Sequence, residues 1–290
     1  MTKDIHIPVL MKEVIELLAP RPGESYLDLT AGYGGHAEAV LKHIGKEGKT
    51  VLVDRDINSI NYLKKKFAVD NTIEFIHSDY FSASAELVSQ KKKFDCILAD
   101  LGVSSPHLDN PDRGFSFMSD GPLDMRMDSR TDLTAQKVVN RYDEKALADI
   151  LFKYGEIRKS RSLAKIIVQN RPYKSTVEFA SVIPGQYKVR MRTLAQVFQA
   201  LRIEVNDELN QLSQSLELWH KLLNTEGRLA VITFHSLEDR IVKQYFSEHG
   251  SDLLTSELKI LNKKVIIAGP DESVYNPRAR SAKLRALQRK

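Results

Sequence analysis

The chain has 290 residues, 42% hydrophobic and 28% charged, with 14 glycines and 10 prolines, so it can bury a large core; a fibre, a mini-protein and a disordered polypeptide are excluded. No apolar run approaches the ~18 residues that a membrane span needs, the opening residues lack the basic start of a signal peptide, and the single cysteine, Cys96, excludes an internal disulfide and a multi-cysteine zinc site. The net charge is only +5, yet 134–204 holds 14 Lys and Arg against 6 Asp and Glu, and 276–290 holds six basic residues and no acid. Such concentration suits a polyanion partner. The expectation is a cytoplasmic protein with no membrane association.

Val9, Leu10, Val14, Leu17 and Leu18 fit one face of a short opening helix. Short apolar runs then follow at Tyr26–Leu29, Val51–Val53, Ile73–Ile76 and Phe94–Ala99, separated by helical patterns at Ala37–Ile44, Ile57–Phe67 and Ser82–Gln90. Strands alternating with helices of this length predict a parallel α/β sheet. The segment 106–132 is rich in Asp, Pro and Gly without a sustained period and reads as a long loop able to cover a site. Residues 134–223 have a helical pattern, the α/β rhythm returns at Gly227–Phe234 ahead of a helix that Ser236 can cap, and Val265–Ala268 adds a last strand before a basic tail. The organisation expected is a discontinuous α/β domain, 1–133 and 205–290, split by a basic helical domain at 134–204 that suits a polyanion and to which the resemblance described below gives RNA recognition.

Three places carry chemistry. The first strand runs into Asp28-Leu29-Thr30-Ala31-Gly32-Tyr33-Gly34-Gly35-His36 and then a helix, a loop on which a nucleotide-like cofactor can sit; twenty-two residues after Gly32, the second strand ends in Asp54, placed to hold ribose hydroxyls. The third glycine of the dinucleotide fingerprint is missing, and Asp28 inside the first strand suits a methionine ammonium better than a pyrophosphate, so S-adenosylmethionine is favoured over NAD. The fourth strand ends in Asp100, which an open α/β sheet would bring to the same crevice. Cys96, four residues earlier in an apolar strand, reads as core.

The strings Gly34-Gly35-His36, Asp54-Arg55-Asp56, Asp100 to Pro106, Arg113 to Phe117, Asp120 to Asp128, Phe198 to Ile203, Phe234 to Arg240 and Asn276 to Arg285 closely resemble the bacterial 16S ribosomal RNA cytosine-N4 methyltransferases (RsmH, formerly MraW). The resemblance spans nearly the whole chain. It implies a Rossmann-like S-adenosylmethionine-dependent methyltransferase sheet with an inserted helical domain, and transfer of a methyl group to the exocyclic N4 of a cytidine in the decoding region of small-subunit RNA. By position, the family's cofactor contacts fall on Gly34, Gly35, His36, Asp54, Tyr80, Asp100 and His107, the family commonly having Phe at the place of Tyr80 and Gln at that of His107. Asp100 is the first candidate to accept the amine proton and Asp124 the second; no metal is expected. The small ribosomal subunit is the implied partner, and a homodimer is left open.

Overall fold

The computed structural model describes residues 8–103, 108–250 and 256–290. The chain forms two compact units, one built from the residues up to Gly102 together with Leu209–Lys290, the other from Val103–Glu208.

In the first unit, α1 (Met11–Leu18) precedes β1 (Tyr26–Asp28), α2 (Gly35–Ile44), β2 (Thr50–Asp54), α3 (Ile57–Lys66), β3 (Ile73–His77), α4 (Tyr80–Ser89) and β4 (Phe94–Asp100). These elements follow the strand and helix pattern of the sequence to within a few residues. The sheet order is β3-β2-β1-β4, and all three pairings are parallel. Because β1 has β2 on one side and β4 on the other, the winding reverses there. The carboxyl ends of such neighbouring strands leave a crevice for a ligand, and these ends carry Asp28, Asp54 and Asp100.

Side chains on successive strand residues point to opposite faces. Leu27, Val51, Val53, Ile97 and Ala99 accordingly join one core cluster and Tyr26, Leu52, Cys96 and Leu98 the other. Arg228, itself buried, donates to the carbonyls of Leu18 and Ala19 and to the Glu24 carboxylate, so it fastens the end of α1 to the sheet. Burial pushes the Cys96 thiol up to about 12, which leaves it an inert core group.

The second unit contains α5 (Ala135–Arg141), α6 (Glu144–Lys153), α7 (Ser160–Gln169), α8 (Thr176–Ser181) and α9 (Tyr187–Asn206). It begins at Val103, earlier than the boundary at 134 read from the pattern, because the Asp- and Pro-rich segment packs into it. Phe115, Leu123, Met125 and Met127 are buried in its core, and Phe117 packs edge-on against Phe198. Met118, by contrast, is exposed. Gly114 has φ +71°, and a Cβ there would lie 2.0 Å from the Pro122 carbonyl oxygen, so only glycine lets the two backbone strands approach. Asn206 fixes the segment from the far end of α9: its side chain accepts from Met127 N (2.8 Å) and donates to the carbonyls of Met125 (2.8 Å) and Arg202 (2.9 Å).

The chain then returns through α10 (Glu208–Leu222), β5 (Leu223–Thr233), α11 (Ser236–His249), β6 (Leu258–Ile260), β7 (Ile266–Ile267), α12 (Pro270–Tyr275) and β8 (Lys283–Arg289). β5 pairs parallel with β4, while β8 lies antiparallel to β5, β6 and β7. Two expectations are corrected here. The segment 276–290 is no free basic tail: Lys283–Arg289 is a sheet strand with Leu284, Ala286 and Leu287 fully buried, and Arg285 and Lys283 are spent on Asp239. The cap of α11 is His235 and not Ser236, since His235 Nδ1 accepts from Glu238 N while the Glu238 carboxylate accepts from the backbone N–H of Phe234 and His235. Among the described residues no helix is long and apolar enough to cross a membrane.

Replacing Asn206 by Ala strands a buried N–H and a buried carbonyl. We expect a loss of about 2–4 kcal/mol in chemical denaturation; a midpoint equal to wild type would show that Asn206 does not hold the segment.

Candidate cofactor site at the carboxyl edge of the sheet

The loop after β1 is organised by its own backbone and by two carboxylates. Leu29 N donates to the Leu98 carbonyl, Ala31 N to that of Val53, and Gly32 N to Asp54 Oδ2 at 2.7 Å. Gly32 and Gly34 both have positive φ, +51° and +73°. The glycines do different work. A Cβ on Gly34 would lie 2.8 Å from Leu63, and one on Gly35 would lie 2.3 Å from Pro8, so these two are demanded by the packing of α2 on its own chain. At Gly32 a Cβ would meet, among the described residues, only the Thr30 carbonyl at 3.8 Å, so the backbone there has open space beside it. The N-cap of α2 is Gly34, which has no side chain with which to cap it.

Asp54 closes the loop from β2. Its Oδ2 takes Gly32 N and its Oδ1 takes Asp56 N at 2.8 Å. Asp54 is half-buried and stands at the strand end where the sequence places the group that holds ribose hydroxyls. Asp56 next to it caps α3 through Asn58 N.

Behind the loop lies a buried acidic pair. Asp28 accepts from the Tyr26 hydroxyl (2.9 Å) and Thr30 N (3.1 Å), yet burial still pushes its carboxyl up to about 7, helped by the charge of Asp54. Asp100 at the end of β4 is raised well above the usual carboxylate range, first by burial and then by Asp28 and Glu238. Its backbone N–H donates to Thr30 Oγ1 at 2.6 Å, and its Oδ1 is buried with no hydrogen-bond partner among the described residues. His36, on the first turn of α2, donates from Nε2 to the Val9 carbonyl (2.9 Å) and sets Nδ1 3.6 Å from Asp100 Oδ2.

The other candidates are placed as follows. Tyr80, at the start of α4, is 7% exposed, packs edge-on to Trp219 at 5.7 Å and carries the Arg55 guanidinium 5.3 Å above its ring. Asp124 belongs to the second unit, where Arg126 binds both its oxygens at 2.7 and 2.8 Å. Burial opposes ionisation there, but those hydrogen bonds outweigh it and hold the carboxyl below its ordinary value. Such a carboxylate orders its own loop and is poorly disposed to take a proton. His107 lies outside the described residues. Thr30 was not singled out in the sequence, although it serves Asp28 and Asp100 at once; a hydroxyl residue two positions after a strand-ending acid was its only signal.

Residues 3–290 match the family described as the MraW methylase family. The chain belongs to that family. It is 41% identical over 301 residues to Ribosomal RNA small subunit methyltransferase H of Acidobacterium capsulatum, covering all of both chains, and 47% identical over 291 residues to the protein of the same name from Nostoc sp., covering 98% of this chain and 92% of that one. A solved SAM-dependent O-methyltransferase from Thermotoga maritima is similar over 99% of this chain and 67% of its own, at 8% identity and a TM-score of 0.45. The cofactor of the family is S-adenosylmethionine. The residues present fit it: Asp54 is a carboxylate at the end of β2, and Asp100 Oδ1, with no hydrogen-bond partner among the described residues, suits a cation.

Loss of the Asp54 carboxylate should cost S-adenosylmethionine binding about 2 kcal/mol, the scale of a hydrogen bond to a charged group. Calorimetric titration of Asp54→Ala reads this directly, and an unchanged dissociation constant would remove Asp54 from the ribose site.

Proposed function

We propose that the protein transfers a methyl group from S-adenosylmethionine to the exocyclic N4 of a cytidine in the decoding region of 16S ribosomal RNA. The observation that carries the chemical part of this reading is Asp100, a largely buried carboxyl at a strand end whose Oδ1 has no hydrogen-bond partner among the described residues. The names of the curated relatives support the RNA substrate, and the resemblance of the Asp100, Asp120–Asp128 and Phe234–Arg240 strings supports the N4 position.

The amine of cytosine is a weak nucleophile because its lone pair is delocalised into the ring. It becomes reactive when an acceptor takes one N–H and lets the nitrogen pyramidalise in line with the methyl group. S-adenosylmethionine, when bound, supplies that methyl on a sulfonium leaving group. Asp100 supplies the acceptor and Thr30 holds its backbone in place. Gly34 and Gly35 seat α2 so that His36 meets Asp100, and Asp54 fixes the loop through Gly32. A covalent route through attack at ring carbon C5 would need a cysteine nucleophile, and Cys96 is wholly buried.

For RNA, the second unit offers exposed Arg158, Lys159, Arg161 and Lys165 along and just before α7. Their spacing leaves Leu163, Ala164 and Ile167 to face the core. We assign RNA recognition to this unit, 103–208, in place of the strand-bound Lys283 and Arg285.

Asp100→Asn keeps the size of the side chain and removes its charge. Single-turnover methyl transfer at saturating cofactor should fall by about a hundredfold or more; wild-type turnover would exclude Asp100 as the acceptor. Changing Arg158, Lys159, Arg161 and Lys165 to Gln should weaken RNA binding and flatten its dependence on log salt by up to about three units of slope. A wild-type slope would make these residues ordinary solvated surface.

A further inference from the structure

The mechanism uses Asp100 but leaves His36 unexplained. Val9 O can only accept, so His36 Nε2 at 2.9 Å must carry a hydrogen. In a neutral ring the basic nitrogen is then Nδ1, the atom that stands 3.6 Å from Asp100 Oδ2. Both side chains are nearly removed from solvent, at 7% and 16% exposure. Among the described residues, the titratable groups around the carboxyl are Tyr26 and Asp28 on β1, His36 on α2 and Glu238 on α11. Three of these four are acids, and the Tyr26 hydroxyl is already given to Asp28.

We propose that His36 and Asp100 form a dyad that holds one proton in the cofactor-free protein, releases it when S-adenosylmethionine binds, and recovers one from the cytidine amine during methyl transfer. The inference rests on the reading that the cofactor sits at this edge of the sheet. With its proton the dyad is net neutral, whether the hydrogen lies on oxygen or on Nδ1. Burial and the neighbouring acids keep it so, as the raised Asp100 carboxyl reflects.

The cofactor and its product differ by one charge. The sulfonium carries a positive charge that S-adenosylhomocysteine lacks, and a buried charge is costly unless it is paired. Loss of the dyad proton supplies the pairing anion. In the transfer the S–CH3 bond breaks, an N–CH3 bond forms, one N–H bond breaks, and that proton goes to the Asp100 carboxylate. A sulfonium and a carboxylate thus become a thioether and a neutral dyad, with no unpaired charge at either end. His36 is a positioning residue: it gives the proton a second seat and fixes the carboxyl through Val9.

The dyad therefore distinguishes donor from product by pH. Binding that releases one proton tightens about tenfold per pH unit while the free dyad is protonated, and binding that releases none is flat. The test is calorimetric titration of the wild-type protein with S-adenosylmethionine and with S-adenosylhomocysteine, each in two buffers of different ionisation enthalpy, from about pH 6 to about pH 7.5. We expect close to one proton released by the donor and none by the product. Asp100→Asn should abolish the release and the pH slope. His36→Gln should retain the release and shift the pH range in which the slope appears.

Equal proton release for both ligands, or release for neither, overturns the dyad on the wild-type protein alone, whatever becomes of the variants. Release that persists in Asp100→Asn takes the proton away from Asp100 and also overturns the dyad. Failure of both ligands to bind the wild type would instead overturn the cofactor site on which the inference rests.

Discussion

Two acids at the ends of neighbouring strands, largely withdrawn from bulk water, are the constraint around which the first unit is organised. Asp28 and Asp100 would repel one another if both were ionised, and each would be costly if left bare. Thr30 is the shared answer. Its N–H serves the Asp28 carboxyl and its hydroxyl receives Asp100 N, so a single residue sets the turn after β1 and the end of β4 together. Tyr26 gives Asp28 a second donor from within the same strand. Gly34 and Gly35 then allow α2 to come close enough for His36 to reach the far side of Asp100. Local backbone shape, helix seating and acid chemistry are therefore one problem with one solution.

The second unit has a different organising element. Its irregular opening segment has few ladder hydrogen bonds of its own, and it is held by side chains that arrive from far along the chain. Asn206 reads the backbone of Met125 and Met127 and Thr176 Oγ1 donates to the Ser119 carbonyl, while Arg113, within the segment itself, donates to the carbonyls of Arg126 and Met127. Buried Phe115, Leu123, Met125 and Met127 add apolar area to the same fastening. What would otherwise be a loop becomes part of a core.

These two modes of construction explain what could be read from residues alone. The parallel strands, the helices between them and the acids at their ends were legible because each rests on local periodicity or on spacing within one strand-loop-helix unit. The place of Asp54 was legible for the same reason. The burial of Phe115, Leu123, Met125 and Met127 was not, since the residues that hold their segment, Thr176 and Asn206, are remote in sequence. β8 was hidden by its composition: Lys283, Arg285 and Arg289 alternate with Leu284 and Ala286, and the charge drew attention from the period of two. The cap of α11 was misplaced by one residue because histidine is an uncommon cap, and only the Glu238 side chain folding back reveals it.

The position of β8 has a bearing on how the chain folds during synthesis. It fills the sheet between β5 and β6, with Leu229 opposite Leu287 and Ile260 on its other side, yet it follows both strands in the chain. Until it emerges, β5 presents an open row of backbone donors and acceptors beside its most apolar stretch, Leu229–Ile232. An open apolar edge is where nascent chains pair wrongly with one another. The sheet is therefore closed by its latest strand, and the alternating lysine and arginine on that strand keep it soluble while it waits for its place.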